Sequence, residues 1–497
     1  MTFPRCAVVV LAAGEGTRMR SSTAKVLHPL GGRSLLGHAL STARSLRPDH
    51  LVVVVRHSRD DVAAHLAEID PEALVADQDE VKGTGRAVWC GLQALPEDYD
   101  GTVVVTYGDV PLLGPQTLAG LVEAHTAAGA AVSVLVGEVP DPTGYGRVVR
   151  DADGAVLRIV EDRDAEEAER AIREINSGIY AFDGDFLRAG LAGMGTDNAQ
   201  GEMYLTDILE LARAKGAVIV ATGTPDRFEL EGVNDRVQLA AFGRELNRRL
   251  LESWMRSGVT VVDPASTWVD VDVRLAPDVT LLPGVQLRGD TRVETDAVIG
   301  PDTTLVDCEV AAGAHIVRSH ALGARIGEGA SVGPFSYLRP GTTLGPGGKI
   351  GGFVETKNAE IGEGSMVPHL SYVGDATIGA HVNIGAATVF VNYDGVRKHR
   401  TMVGDHARVG SDTMLVAPVT IGDGAYTAAG SVIDQDVPPG ALGVARGRQR
   451  NVEGWVARRR PGSAAATAAE RASAAGAATE NGSAADAGEH REGTLRP

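Results

Sequence analysis

Three stretches of this 497-residue chain carry side chains that could do chemistry. LAAGEGTRM at 11–19 is a glycine-containing loop with Arg18 inside it, and Lys25 follows in AKVLHPL at 24–30. Two cations beside exposed backbone N–H groups suit a polyphosphate. The loop is neither a Walker A sequence nor the dinucleotide fingerprint, because Met19 stands where a third glycine belongs. YGDVP at 107–111 puts Asp109 just past an apolar run, where a carboxylate can hold a hard divalent cation against phosphates. Much later, Lys357, His369, Tyr372, Asn383, Asn392 and Tyr393 interrupt a strongly apolar pattern. A histidine titrates close to neutral pH and can serve there as a general base.

The elements that must position these groups are of two kinds. From residue 5 to about 230, β-branched runs (AVVVLAA, LVVVVR, TVVVTYGD, AVSVLVG, AVIVATG) alternate with amphipathic segments, which predicts an α/β Rossmann-like domain with a mostly parallel sheet. Ligands of such sheets sit at the carboxyl ends of strands, so the loops after the first and third runs should meet at one rim. Residues 236–256 place Val237, Ala240, Ala241, Leu246, Leu250, Leu251 and Trp254 at helical spacing, a helix linking domain 1–235 to a second domain, 257–460.

After Asp263 apolar residues recur in sixes: Leu281, Leu287, Val293, Ile299, Leu305, then Ile326 to Ile350, then Val403 to Ile433. That period belongs to the hexapeptide rungs of a parallel β-helix, about nine coils at three rungs each, with Gly, Asp or Asn at the turns. A basic excursion, VNYDGVRKHRTM at 391–402, breaks it and is placed as a binding loop on one face. From 461 to 497 large apolar residues are nearly absent, which predicts a disordered tail.

Composition narrows the partners. The net charge of −18 excludes a nucleic-acid backbone or an anionic membrane surface as partner. Cys6, Cys90 and Cys308 form neither a disulfide framework nor a zinc site, and no apolar run reaches the ~20 residues of a membrane span, so a cytoplasmic location is expected. The 62 glycines exceed the ~7% of an average protein and are accounted for by loops and solenoid turns.

LAAGEGTRM followed by KVLH resembles the sugar-1-phosphate nucleotidyltransferases, and the hexapeptide domain narrows the likeness. Over about residues 5–455 the chain resembles the bacterial bifunctional N-acetylglucosamine-1-phosphate uridyltransferase/glucosamine-1-phosphate acetyltransferases, whose β-helix is left-handed. The resemblance implies that Leu11, Ala12, Ala13 and Gly14 hold the uridine, that Arg18 and Lys25 meet the phosphates, and that Gln78, Gly83 and Thr84 read the uracil. It implies Tyr107, Gly108 and Asp109 in the next loop, and Gly146 (DPTGYGR), Glu161 (IVED) and Asn176 (EINSGIY) on the sugar. Asp109 and Asn234 (EGVN) would be the protein ligands of Mg2+. Val81, Lys82 and Arg86 depart from the family's Gln-Leu-Gly-Thr-Gly-His.

LRPG, FVETKN, HLSYVGD, NIGAAT and VNYDG resemble the acetyltransferase half. By that likeness Arg339, Lys357, Tyr372 and Asn383 bind glucosamine 1-phosphate, His369 is the base, and Ala386, Asn392, Tyr393, Ser411, Ala429 and Arg446 line the acetyl-CoA cleft. Ala387 replaces the glycine usual in NIGAGT. The expected activity is acetyl transfer from acetyl-CoA to glucosamine 1-phosphate, then uridylyl transfer from UTP to N-acetylglucosamine 1-phosphate, in a homotrimer. The alternatives are a monofunctional nucleotidyltransferase with a structural β-helix, and a zinc hydratase using His369, His381, His399 and His406.

Overall fold

The computed structural model describes residues 5–195 and 201–486. Its first part is a sheet of nine strands: β1 (Cys6–Leu11), β2 (His50–Val55), β3 (Leu74–Asp77), β4 (Thr102–Tyr107), β5 (Val132–Glu138), β6 (Arg147–Arg150), β7 (Val156–Val160), β8 (Glu174–Asp183) and β9 (Ile219–Gly223). The main path runs β9-β5-β8-β4-β1-β2-β3, with β6 joined to β8 and β7. β1 is an unbroken apolar run because both its faces are covered. Ala7, Val9 and Leu11 enter one core; Cys6, Val8 and Val10 enter the other.

The five apolar runs form β1, β2, β4, β5 and β9, and the parallel edge strand β3 (Leu74–Asp77) joins them without being marked by such a run. β8 is not among them: it lies antiparallel to both β4 and β5, and its register shifts between Asn176 and Tyr180. Asn176 and Ser177 interrupt its apolar pattern because this irregularity turns them toward the pocket, as described below.

The second part is a left-handed parallel β-helix. Leu281 pairs with Ile299 and Leu287 with Leu305, an eighteen-residue coil of three rungs. Every apolar position counted in sixes is buried, Thr427 included. The sequence count lapses after Leu305 and after Ile350 where coils shorten by a residue or two: Ile299 pairs with Ile316, and Ile316 with Val332. An eleven-stranded column runs from Thr260–Val261 to Leu442–Gly443. Phe390 is the large side chain inside these coils. Phe390→Ala is expected to destabilise the solenoid by about 3–5 kcal/mol, read as an earlier loss of its β signal in thermal circular dichroism.

Turn chemistry differs from the expectation in one respect. Left-handed corner positions carry Asp278, Asp296 and several glycines, but also Phe335, Phe353, Leu370, His381, Ala387 and His406.

The helix Arg236–Arg256 starts at Asp235, whose side chain accepts from Gln238 N at 2.8 Å. Phe242 and Leu246 pack with Leu30, Leu35, Leu112 and Val233 of the α/β part, whereas Leu251 enters the β-helix core. Asn247 pins the junction: its Nδ2 donates to Thr267 O at 2.8 Å, and its Oδ1 accepts from Val269 N at 3.0 Å. Val237, placed on the apolar stripe from sequence, is 79% exposed, since the buried face runs through Phe242, Leu246, Asn247 and Leu251 instead.

The stretch 461–497, expected to be disordered, is helical over Ala464–Asp486. Its alanines lack an apolar face but have the highest intrinsic helix propensity, which the sequence reading left out. Residues 487–497 lie outside the described residues. Among the described residues no helix is long and apolar enough to cross a membrane.

Candidate active sites

β1 and β4 are parallel neighbours with Leu11 opposite Tyr107, so the loops that follow them leave the same rim side by side. Gly108 N donates to Leu11 O at 2.9 Å, Ala12 N to Val54 O at 2.8 Å and Gln78 N to Val55 O at 2.9 Å, which gathers the ends of β1 to β4 into one cleft.

Two pockets open along this rim. One, of about 460 Å³, is lined by Leu11, Ala12, Ala13, Gly14, Lys25, Gln78, Gly83, Thr84, Tyr107 and Asp109. The other, of about 220 Å³, is lined by Gly146, Glu161, Asn176 and Asn234 and again by Thr84, Tyr107 and Asp109. Asp109 therefore stands where the two pockets meet.

The Lys25 ammonium is bonded to the Asp109 carboxylate and lies 3.3 Å from Asn234 Oδ1. Asn234 is oriented by its Nδ2, which donates to Gly232 O at 3.2 Å, and Val233 N donates to Asp109 O at 2.9 Å. Two sequence-distant oxygens thus converge on one cation. Gly108 and Arg18 do not line either pocket. Gly108 is packed under the rim, where an added Cβ would lie 3.2 Å from Leu36. Arg18 is exposed on the turn Thr17–Met19, near enough to influence Tyr145 electrostatically.

The loop that departs from the family pattern keeps its backbone role. Gly83 has φ +113°, and a Cβ there would stand 2.3 Å from Met203 O. Met203 N donates to Lys82 O at 3.0 Å, Gly85 N to Met203 O at 2.8 Å and Leu205 N to Thr84 Oγ1 at 3.2 Å. Gln78 Nε2 donates to Val81 O at 3.0 Å, bracing the same loop. Arg86 turns away to pair with Asp79.

On the other side, Asn176 Oδ1 accepts from Gly178 N at 2.9 Å and Ser177 Oγ donates to Leu135 O at 2.7 Å, which fixes the irregularity of β8 against the pocket. Burial pushes the Glu161 carboxyl above its ordinary range, although Thr206, 3.4 Å away, opposes this. Burial likewise raises the Tyr107 phenol, and Tyr145 is pushed up to about 12. The phenols stay neutral and can donate to ligand oxygens.

A second cluster lies on the β-helix. Leu338 pairs with Thr356, so Arg339 stands beside Lys357, which pairs in turn with Gly374. Glycine is required there: a Cβ would lie 2.4 Å from Tyr372 Oη and 2.6 Å from Asn392 Nδ2. Asn392 Nδ2 donates to Asp375 Oδ2 at 2.5 Å, and Asn358 Nδ2 to Asp375 Oδ1 at 2.8 Å. Arg339 pairs with Glu355 at 3.0 Å.

The excursion 391–402 folds back on itself. Asp394 accepts from Val396 N and Arg397 N and pairs with His399 Nε2 at 2.7 Å, and these donors lower its carboxyl to about 2. Tyr393 bridges to Lys398, which is thereby set against Lys357; that neighbour holds the Lys398 ammonium below its ordinary value. Lys398 joins this cluster only through the fold; in the sequence it is one of several cations of the basic excursion.

His369 ends the strand Met366–His369. Ala387 N donates to His369 O at 3.3 Å, Asp412 N to Ala386 O at 2.7 Å and Gly430 N to Ser411 O at 2.8 Å. His369, Ala386, Ser411 and Ala429 therefore climb one corner on successive coils. Arg446 is exposed just past the last coil, and Tyr393 is exposed on the excursion. Asn383 is not brought to Tyr372: it belongs to the other sheet, next to Met366 and Arg408. The four histidines of the zinc alternative do not converge, since His381 stacks on His406 at 5.1 Å and His399 turns to Asp394.

The sequence that builds these two clusters matches known proteins closely over nearly its whole length. The bifunctional protein GlmU of Kineococcus radiotolerans is 63% identical over 466 residues, 94% of this chain and 95% of that protein. The chain belongs to the GlmU family. The bifunctional GlmU proteins of Streptomyces avermitilis and Corynebacterium aurimucosum are 62% and 58% identical, each spanning 96% of the relative and 93% and 94% of this chain. The model of the MobA-like NTP transferase domain matches residues 8–175. As a member of the GlmU family the chain is a transferase of UDP-N-acetylglucosamine synthesis with both an acetyltransferase and a uridyltransferase activity.

Proposed function

We propose that the rim of the sheet is the uridylyl-transfer site and the corner around His369 the acetyl-transfer site. The convergence of Lys25, Asp109 and Asn234 where the two pockets join supports the first assignment. UTP takes the larger pocket, with its base at Gln78, Gly83 and Thr84 and its phosphates toward Lys25 and Arg18. N-acetylglucosamine 1-phosphate takes the smaller one, against Gly146, Glu161 and Asn176. Its phosphate oxygen bonds to the α-phosphorus of UTP, the α–β bridging bond breaks, and pyrophosphate leaves. The attacking phosphate is already anionic, so no protein nucleophile or base is needed, and positioning with charge stabilisation carries the rate.

Asp109 and Asn234 suit Mg2+: both offer oxygen to a point that a cation, the Lys25 ammonium, already occupies. When bound there, Mg2+ supplies charge neutralisation on the triphosphate. With Asp109 and Asn234 holding the ion, Lys25 would be available to pair with the phosphates.

At the second site Arg339, Lys357 and Lys398 hold the phosphate of glucosamine 1-phosphate. Like charges set side by side are costly unless an anion joins them. His369 takes a proton from the 2-amino group, which attacks the thioester of acetyl-CoA; the C–N bond forms, the C–S bond breaks, and the CoA thiol leaves. Ala386, Ser411 and Ala429 offer a groove of small side chains for the pantetheine arm.

The working unit is a homotrimer. Phe335, Phe353 and Leu370 are 54%, 62% and 61% exposed, hold φ of +60°, +58° and +49°, and form one ridge next to His369. The two rings stack at 5.3 Å. Left-handed backbone costs a bulky residue ~1–2 kcal/mol, and burial against a second copy would offset it. A trimer also lets Asn383 approach the Tyr372 group of the adjoining copy. Sedimentation equilibrium should return three times the 51.7 kDa chain mass, and a monomer would refute the assignment.

The test of both sites is a paired assay: free thiol with acetyl-CoA and glucosamine 1-phosphate, pyrophosphate with UTP and N-acetylglucosamine 1-phosphate. Each signal should respond to variants of its own site alone.

A further inference from the structure

We infer that Arg147 is a positioning residue for the sugar side of the uridylyl-transfer site, tying together the two loops that carry Gly146 and Glu161. The inference rests on the assignment of that pocket to N-acetylglucosamine 1-phosphate.

Arg147 opens β6 and is 2% exposed. Its Nη1 donates to the carbonyl of Tyr145, the residue before Gly146. Its Nη2 donates to Asp162 Oδ1 at 2.9 Å, the residue after Glu161. Its Nε is buried without a hydrogen-bond partner. Stability alone is a poor account of such a group. A guanidinium taken out of water carries a desolvation penalty that a buried ion pair often does not recover, and an apolar side chain would fill a strand position at lower cost. What the planar fork does, and an apolar side chain cannot, is hold two segments at a fixed separation and angle.

Both segments matter to the pocket. Gly146 O accepts from Asn176 N at 2.8 Å, and a Cβ on Gly146 would stand 2.9 Å from Ile159, so the loop end is wedged between β7 and β8. Glu161, Gly146 and Asn176 face the same cavity. Asp162 is braced again from behind, its carbonyl accepting from Arg170 Nε at 3.4 Å. Releasing the fork lets the Glu161 carboxylate drift relative to Gly146 and Asn176. Lys25, Gln78 and Gly83 belong to other loops, so the nucleotide side keeps its geometry.

Steady-state pyrophosphate release by full-length Arg147→Lys and Asp162→Asn tests this, varying each substrate with the other saturating. Misplaced binding groups predict that Arg147→Lys raises KM for N-acetylglucosamine 1-phosphate roughly tenfold, with the KM for UTP little changed and acetyl transfer intact. Asp162→Asn should shift the same KM less, and the double variant should match Arg147→Lys because the two act as one unit. Should Arg147→Lys lose its thermal transition, Asp162→Asn carries the test, since its side chain is 26% exposed. Equal rises in both KM values, or no rise in either, overturn the inference. Glu161→Gln separates the two layers. If it leaves the sugar-phosphate KM unchanged, the pocket assignment and the inference fall together; if it raises that KM while Arg147→Lys does not, only the inference falls.

Discussion

Asp109→Ala is expected to lower the rate of pyrophosphate release by about 10²–10³-fold and to leave thiol release from acetyl-CoA untouched. The size of the effect follows from position. Asp109 lines both rim pockets, accepts from the Lys25 ammonium and anchors Val233 through its carbonyl, so under the proposed assignment it sets where positive charge sits between the two substrates. Alanine keeps the backbone bond and removes the charge, leaving Lys25 with Asn234 Oδ1 at 3.3 Å. Asp109→Asn keeps an oxygen without its charge, so it should fall between wild type and alanine and need more Mg2+ to reach half its maximal rate. Pyrophosphate release under saturating UTP and N-acetylglucosamine 1-phosphate measures both variants. A rate for Asp109→Ala within about twofold of wild type would remove Asp109 from the charge stabilisation that P–O cleavage requires.

The rim was readable in sequence because parallel strands impose it. An apolar run that ends in LAAGEGTRM and another that ends in YGDVP must expose their loops at the same sheet edge once the strands are parallel, and Leu11 opposite Tyr107 realises this. The solenoid was readable for a similar reason: a period of six has one structural solution, and Leu281, Ile299 and their successors fill it. What escaped the sequence depends on contacts between distant segments. β8 was not recognised as a strand, since Asn176 and Ser177 break its apolar pattern for the sake of the pocket. Lys398 gains significance only when the excursion folds back on Lys357. The ridge of Phe335, Phe353 and Leu370 is invisible to patterning that assigns left-handed corners to glycine, Asp or Asn. Helicity at Ala464–Asp486 was overlooked because the absence of an apolar face was read as the absence of structure.

His369→Ala is expected to cut thiol release by about 10²–10⁴-fold, the range that a positioned acid–base group supplies, with pyrophosphate release unchanged. The main chain of His369 is held by Ser371 Oγ at 2.7 Å and Ala387 N at 3.3 Å, so the exposed imidazole stands on a fixed base at the foot of the Ala386, Ser411 and Ala429 column. The proposed assignment puts phosphate recognition elsewhere, with Arg339, Lys357 and Lys398. The two functions should therefore separate in kinetics. His369→Ala should lower kcat with little change in KM for glucosamine 1-phosphate, whereas Lys357→Ala should raise that KM. Added imidazole should restore part of the activity of His369→Ala, because a small base can enter the space the side chain vacates. A KM defect without a kcat defect would make His369 a substrate anchor. Full thiol release would place the base on another residue while leaving the bifunctional chemistry intact.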